Sequence, residues 1–386
     1  MKAIINGRLI LPDAAENFFV ARRRVLFYDG QGIHAILPEK DFVREDGVEV
    51  LDAGGRYVAP GFLNVYIHGC MGADTMDATP EALRTMSEFL PQTGVTGFLP
   101  TTMTCAWADI EAALGNVRAA MTPPPRGAAV LGAHMEGPFI SPAKKGSQDA
   151  RHILRADFAR LAPFADVVRV VTVAPEELPE DSTFLADCAH AGIRVSIGHT
   201  AADYETAVRA VAQGADRFTH LYNAMTGFHH RAPGALGAAL DTAAAVELIA
   251  DNVHAAPMAQ RLAYRMKGGD RILLITDSLR ACGIGDGESE LGGQKVYVKG
   301  ELATLADGTI AGSVAKMNRC LKIFQENTHA PITEVVAMAT RNPARDLGIY
   351  DKYGSLAVGK RADLTIFDDA FEIFATIVGG TLAYHQ

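Results

Sequence analysis

The sequence predicts an α/β chain: a (β/α)8 TIM barrel carrying a small β-sandwich domain formed by both chain ends. Three observations predict it. From Pro60 onward, short apolar β-rich runs recur, each ending in polar residues and leading toward a helical stretch, which is the alternation of a parallel α/β sheet. The runs number eight, as a closed barrel requires. Outside them, both ends carry β-like segments broken by Gly, Asp and Asn.

In chain order, residues Lys2–Leu11, Arg24–Leu37 and Val48–Val58 read as strands of the small domain. The barrel strands follow as Phe62–His68, Val95–Pro100, Ala128–Glu136, Val168–Val173, Ile193–His199, Arg217–His220, Val246–Asp251 and Ile272–Asp277. Helices are expected at Pro80–Leu90 behind an N-cap Thr79, at Trp107–Ala120, at Ala202–Ala212 and at Pro257–Met266. Pro123-Pro124-Pro125 reads as a stiff turn. Beyond Asp277 come β candidates Lys295–Thr304 and Thr309–Ala311, helical runs Ala315–Asn327 and Ile332–Thr340, and a β-rich finish at Ala362–Phe367 and Ile373–Tyr384. Pairing the two ends buries both sets of sheet edges. The expected division is residues 1–58 with 355–386 as the sandwich, and 59–354 as the catalytic barrel.

The bulk composition excludes several function classes. Of 386 residues, 48% are hydrophobic and 21% charged, the balance of a globular chain with a large core. A net charge of −9 speaks against nucleic-acid binding, which needs a basic face. No segment reaches the apolar length that spans a bilayer, and the start has no signal-like stretch. The five cysteines, Cys70, Cys105, Cys188, Cys282 and Cys320, are scattered without a C-x-x-C pair. They indicate neither a disulfide framework nor a thiolate zinc site, and a cytoplasmic location is expected.

Reactive groups in such a barrel gather at the carboxyl ends of the strands. His68, Glu136, His199, His220 and Asp277 all fall there. A single strand-end histidine is ordinarily a hydrogen-bonded core or surface residue. One carboxylate and two imidazoles converging at a barrel mouth form a three-ligand metal site that leaves a position open for water. Zinc is the default ion, and Fe2+ or another divalent ion also suits the donors.

Four motifs carry a family resemblance: Pro60-Gly61-Phe62-Leu63-Asn64-Val65-Tyr66-Ile67-His68-Gly69, His134-Met135-Glu136-Gly137-Pro138-Phe139, Gly198-His199-Thr200 and Thr219-His220-Leu221-Tyr222-Asn223-Ala224-Met225. Together with Asp251-Asn252-Val253-His254, Thr276-Asp277, Ala311-Gly312-Ser313 and Gly359-Lys360-Arg361-Ala362-Asp363-Leu364, they resemble the N-acetylglucosamine-6-phosphate deacetylases of the amidohydrolase superfamily. The resemblance runs from about Pro60 to Phe367 in the family's order. It implies Glu136, His199 and His220 as ligands of one divalent metal, Asp277 as catalytic acid/base and His254 beside the scissile amide. It further implies substrate contacts from Ser147, Asn223, Ala224, Arg231, Asp251, His254, Ala311 and Gly312. The expected substrate is an amino sugar phosphate, with Arg231 as the phosphate partner because guanidinium forks onto phosphate oxygens. In the family the His230-Arg231 loop serves the adjoining subunit, implying a homodimer.

The chain departs from the pattern in places. Tyr66-x-His68 stands where many members carry His-x-His; a protonated phenol is a poor metal ligand, so a single tightly bound ion is expected. Gln148, in Lys144-Lys145-Gly146-Ser147-Gln148, stands where the family often has His, and Ser278-Leu279-Arg280 offers a further positive charge. The fourth strand supplies no Lys, unlike two-metal cyclic-amide hydrolases of the superfamily. The competing readings are deacetylation of another acetamido sugar phosphate, such as the galactosamine epimer, and a barrel that has lost its metal and acts as a scaffold.

Overall fold

The computed structural model describes residues 1–43, 46–122, 127–179 and 181–386. The Pro123-Pro124-Pro125 turn lies outside the described residues. Eight parallel barrel strands follow one another as Phe62–Ile67, Val95–Thr102, a third split into Ala129–Val130 and Ala133–Glu136, Val168–Val173, Arg194–Ile197, Arg217–Phe218, Ala245–Ile249 and Ile272–Ile275. The eighth meets the first through a parallel bridge between Ile67 and Ser278, with the Asp277 amide donating to the Tyr66 carbonyl at 3.0 Å. The strands are buried almost throughout, and this explains their continuous apolar runs.

Helices Pro80–Phe89, Trp107–Ala120, Tyr204–Ala212 and Pro257–Lys267 surround the barrel where the sequence predicts them. The third starts at Tyr204 and not at Ala202, because the Asp203 carboxylate caps it by accepting from the Thr206 amide at 2.8 Å. Two further helices, Phe184–His190 and Gly234–Asp241, complete outer positions that the sequence reading did not name.

The chain ends build two sheets. One holds Lys2–Ile5, Arg24–Asp29, Gly32–Pro38 and Glu49–Asp52; the other holds Arg8–Pro12, Phe18–Ala21, Tyr57–Pro60, Leu364–Phe367, Ile373–Val378 and Thr381–His385. Leu364–Phe367 lies antiparallel to Tyr57–Pro60 and joins the two ends. Ile4, Leu26 and Ile33 from the first sheet share a core with Leu9, Val58, Leu364 and Ile377 from the second. The single run expected at Lys2–Leu11 is two strands in different sheets, turned at Asn6, whose φ is 55°.

A third β unit departs more from expectation. Gly287–Leu291, Gln294–Lys299, Leu302–Leu305 and Ile310–Gly312 form an antiparallel sheet after the last barrel strand. The expected strand Lys295–Thr304 is therefore a hairpin, with Gly300 at φ 60° in its turn. Leu291, Val296, Val298 and Ala303 pack this sheet onto Met103 and Leu279 at the barrel mouth.

Candidate metal and catalytic centre

The strand ends open into a cavity of about 270 Å³. His68, Glu136, His199, His220, Asn223, Ala224, His254 and Asp277 line its floor, while Ser147, Gln148, Leu291, Thr309, Ile310, Ala311 and Gly312 form the wall. A roomier surface cleft of about 450 Å³ beside Pro175, Leu185 and Arg209 contains none of the strand-end groups. His199, His220 and Asp277 take the left-handed conformation, with φ of 49°, 28° and 50°. Each strand thus turns sharply at its reactive residue, a strained arrangement that clusters at functional sites.

Glu136 Oε1 lies 2.7 Å from His199 Nε2 and 3.4 Å from His220 Nε2, and the two imidazole nitrogens are 3.1 Å apart. His199 Nδ1 donates to the Lys144 carbonyl at 3.0 Å, which leaves its Nε2 as the lone-pair atom facing the cavity. Two ring nitrogens and a carboxylate oxygen, all buried and aimed at one point, fit a divalent cation of the kind bound by nitrogen and oxygen donors. Burial opposes the charge on Glu136, but the His199, His220 and His68 rings outweigh it and hold the carboxyl well below the usual range. Burial likewise disfavours a charged His199, and the Glu136 carboxylate overcomes it to raise that ring's pKa.

His68 takes a fixed place in this cluster. Its Nδ1 faces the Thr101 carbonyl at 3.2 Å, so that atom carries a proton; Nε2 stands 3.2 Å from both Glu136 Oε2 and Asp277 Oδ1. Burial lowers its pKa, but the bonds to Asp277 and Glu136 prevail and push it well above the ordinary value. Tyr66 lies below, its ring edge-on to His134 at 4.5 Å. Burial, reinforced by Glu136 and Asp277, raises the phenol far above its usual range, so it stays protonated. Asn64 donates to Thr276 Oγ1 at 2.8 Å and ties the first strand to the eighth.

His254 reaches the cavity from the loop after the seventh strand, and its Nδ1 meets Asp251 Oδ2 at 2.7 Å. Asp251 Oδ1 accepts the amides of Val253 and His254. Both oxygens of Asp251 are engaged inside the chain, where they hold the His254 ring and the loop that carries it, and Asp251 is not among the residues lining the cavity. Ser147 lines the cavity and donates to the Ala311 carbonyl at 3.2 Å; Ala311 and Gly312 line the wall beside it.

Arg231 is exposed, with Nη1 2.8 Å from His230 Nε2, and neither residue lines the cavity of its own chain. The charge of Arg280 is taken up by Asp77 at 2.8 Å and by Asp74, so it adds none to the pocket. Gln148 carries a contact that the sequence reading did not assign: its Nε2 donates to Glu136 Oε2 at 2.7 Å. Its place beside the Lys-Lys-Gly motif was the one signal. Thr309 and Ile310 fall in the β candidate Thr309–Ala311, observed as the strand Ile310–Gly312, but no role was read for them; Leu291 lies in a strand the sequence reading did not name.

The Amidohydrolase family model matches residues 57–383. An N-acetylglucosamine-6-phosphate deacetylase of Bacillus subtilis (strain 168) is 43% identical over 344 residues, covering 87% of each chain. An N-acetylgalactosamine-6-phosphate deacetylase of Escherichia coli is 34% identical, covering 87% of this chain and 90% of that one. Among solved structures, the N-acetylglucosamine-6-phosphate deacetylase from Pasteurella multocida superposes with a TM-score of 0.92 at 30% identity, covering 99% of both chains. The chain belongs to the amidohydrolase family, in its N-acetylglucosamine-6-phosphate deacetylase branch.

Proposed function

We propose that this chain hydrolyses N-acetyl-D-glucosamine 6-phosphate to D-glucosamine 6-phosphate and acetate. The observation that carries the reading is the convergence of Glu136, His199 and His220 beside Asp277 and His254 in one cavity at the barrel mouth. Glu136, His199 and His220 would hold a divalent cation, most simply zinc, which when bound would lower the pKa of a water and polarise the acetyl carbonyl. Asp277 accepts the proton of the attacking water on its carboxylate and returns it to the departing amine. The His254 ring donates a hydrogen bond to the carbonyl oxygen as negative charge grows there. Water and amide thereby become amine and acetate, with no other reactant.

Asn223 and the Ala224 backbone face the sugar phosphate, with Ser147, Ala311 and Gly312 across the ring. The phosphate charge is met by Arg231 and His230 of a second copy in a homodimer. Two facts support this: both residues are exposed, and among the described residues the cavity of one chain holds no lysine or arginine. Residues 59–354 act as the catalytic domain, and 1–58 with 355–386 as the sandwich, a division supported by the core that both ends share. A cytoplasmic enzyme accords with five free cysteines, and no helix among the described residues is long and apolar enough to cross a membrane.

The test is acetate release from N-acetylglucosamine and N-acetylgalactosamine, each with and without the 6-phosphate, alongside metal analysis. About one equivalent of metal and turnover of the phosphorylated gluco sugar are expected. Preference for the galacto epimer would establish the second reading, which rests on the 34% identity to an N-acetylgalactosamine-6-phosphate deacetylase. Metal far below one equivalent without acetate release would leave only a scaffold.

A further inference from the structure

We propose that Gln148 is a positioning residue that fixes Glu136 as a one-oxygen ligand of the divalent cation, an inference resting on the metal-dependent reading above. Gln148 is buried in the loop after the third barrel strand, and both ends of its amide are engaged. The Thr104 backbone N–H meets Oε1 at 2.8 Å. A backbone amide can only donate, so the side-chain oxygen must face it, and the NH2 group must face Glu136. The orientation of the Gln148 amide is set by this pairing.

The consequence falls on Glu136. Its two oxygens have separate surroundings: Oε1 faces His199 and His220, and Oε2 accepts from Gln148 Nε2. With Oε2 held by the Gln148 donor at 2.7 Å, the carboxylate is kept from turning to present both oxygens to the cation. Gln148 is suited to this because its NH2 donates without adding net charge, so Glu136 keeps its full negative charge for the metal. The loop that carries it is itself held: Gln148 N–H donates to the Lys145 carbonyl at 3.0 Å, and Gln294 Nε2 donates to the Ser147 carbonyl at 2.7 Å. The small β-sheet over the cavity therefore braces the residue that braces the ligand.

Two variants separate this role from a merely structural one. Gln148→Leu removes both hydrogen bonds. Gln148→Glu keeps an acceptor for the Thr104 amide but replaces the donor with a second anionic oxygen beside Glu136. The measurements are zinc affinity by competition with a chromogenic chelator, the rate of zinc release, and the melting temperature of the metal-free protein. Both variants should hold zinc roughly 10- to 100-fold more weakly than wild type, and the metal-free melting temperature reports any loss of folding stability separately. Zinc held by Gln148→Glu as tightly as by wild type, or more tightly, would overturn the proposal and leave Gln148 as a partner of Thr104 alone. Should Gln148→Leu fail to fold, Gln148→Glu decides by itself. Wild-type protein that takes up no zinc and releases no acetate would overturn the underlying functional reading as well, whereas normal wild-type uptake with an indifferent Gln148→Glu defeats only this inference.

Discussion

His254 shows how one hydrogen bond sets a chemical role. Its Nδ1 is committed to Asp251, so Nε2 bears a proton only in the imidazolium form. Burial works against that form, but the Asp251 carboxylate prevails and raises the ring's pKa. Asp251 is correspondingly lowered, burial being outweighed by His254 and two backbone amides. Activity that depends on donation from Nε2 should therefore fall as pH rises through the elevated His254 pKa. In Asp251→Asn the alkaline limb of kcat/KM should move to lower pH; an unmoved limb would remove the pair from the mechanism. The same pair stabilises the fold fully between the ordinary values of 3.8 for Asp and 6.5 for His. That contribution is lost as pH falls through the depressed Asp251 value or climbs through the raised His254 value. Asp277→Asn should retain metal while kcat drops by roughly 10²- to 10⁴-fold, measured by acetate release; an unchanged rate would exclude it as acid/base. These residues were legible in the sequence because each falls at or just after the end of an apolar run. The contacts of His68 and Gln148 were not, since they depend on how separate loops meet above the barrel.

At the scale of the element, Gly198 governs how the fifth strand delivers His199. A Cβ there would lie 2.5 Å from Thr219 Cβ and 2.9 Å from Thr172 Cγ2, and both neighbours are β-branched residues fixed in the buried fourth-to-sixth strand region. Gly198→Ala should cost about 1–3 kcal/mol of stability and loosen the metal by displacing His199. Thermal melts and metal content check it, and a variant of wild-type stability and metal content would show that the region yields freely. Strand and helix texture were readable where composition and length were distinctive, as in the β-branched Val168–Val173 and the alanine- and leucine-bearing Trp107–Ala120. Legibility failed where turns fell inside a β-rich run: Asn6 splits the first, and Gly300 folds Gln294–Lys299 back on Leu302–Leu305. The helix Gly234–Asp241 was hidden because it begins with glycine and carries another at Gly237, both poor helix formers.

For the whole molecule, the exposed His230-Arg231 loop makes a prediction that one subunit cannot satisfy. Arg231→Ala should raise KM for the 6-phosphate substrate roughly ten- to hundredfold, from charged hydrogen bonds worth about 1.5–3 kcal/mol, and spare the unphosphorylated sugar. Mixing Arg231→Ala with Asp277→Asn subunits gives a sharper check at low substrate. If Arg231 serves the partner's cavity, half-and-half exchange should restore roughly a quarter of the wild-type sites, because each mixed dimer of a symmetric pair rebuilds one complete site. Failure to recover activity in demonstrated mixed dimers would assign Arg231 to its own chain or to no site. The cavity itself, about 270 Å³ beneath the small β-sheet, falls just under the usual span of about 300–1,000 Å³ for small-molecule pockets. Such a chamber is close in size to one pyranose ring with its acetamido and phosphate arms. A chamber of this volume favours single sugar residues over polymer chains as substrates of the proposed reaction.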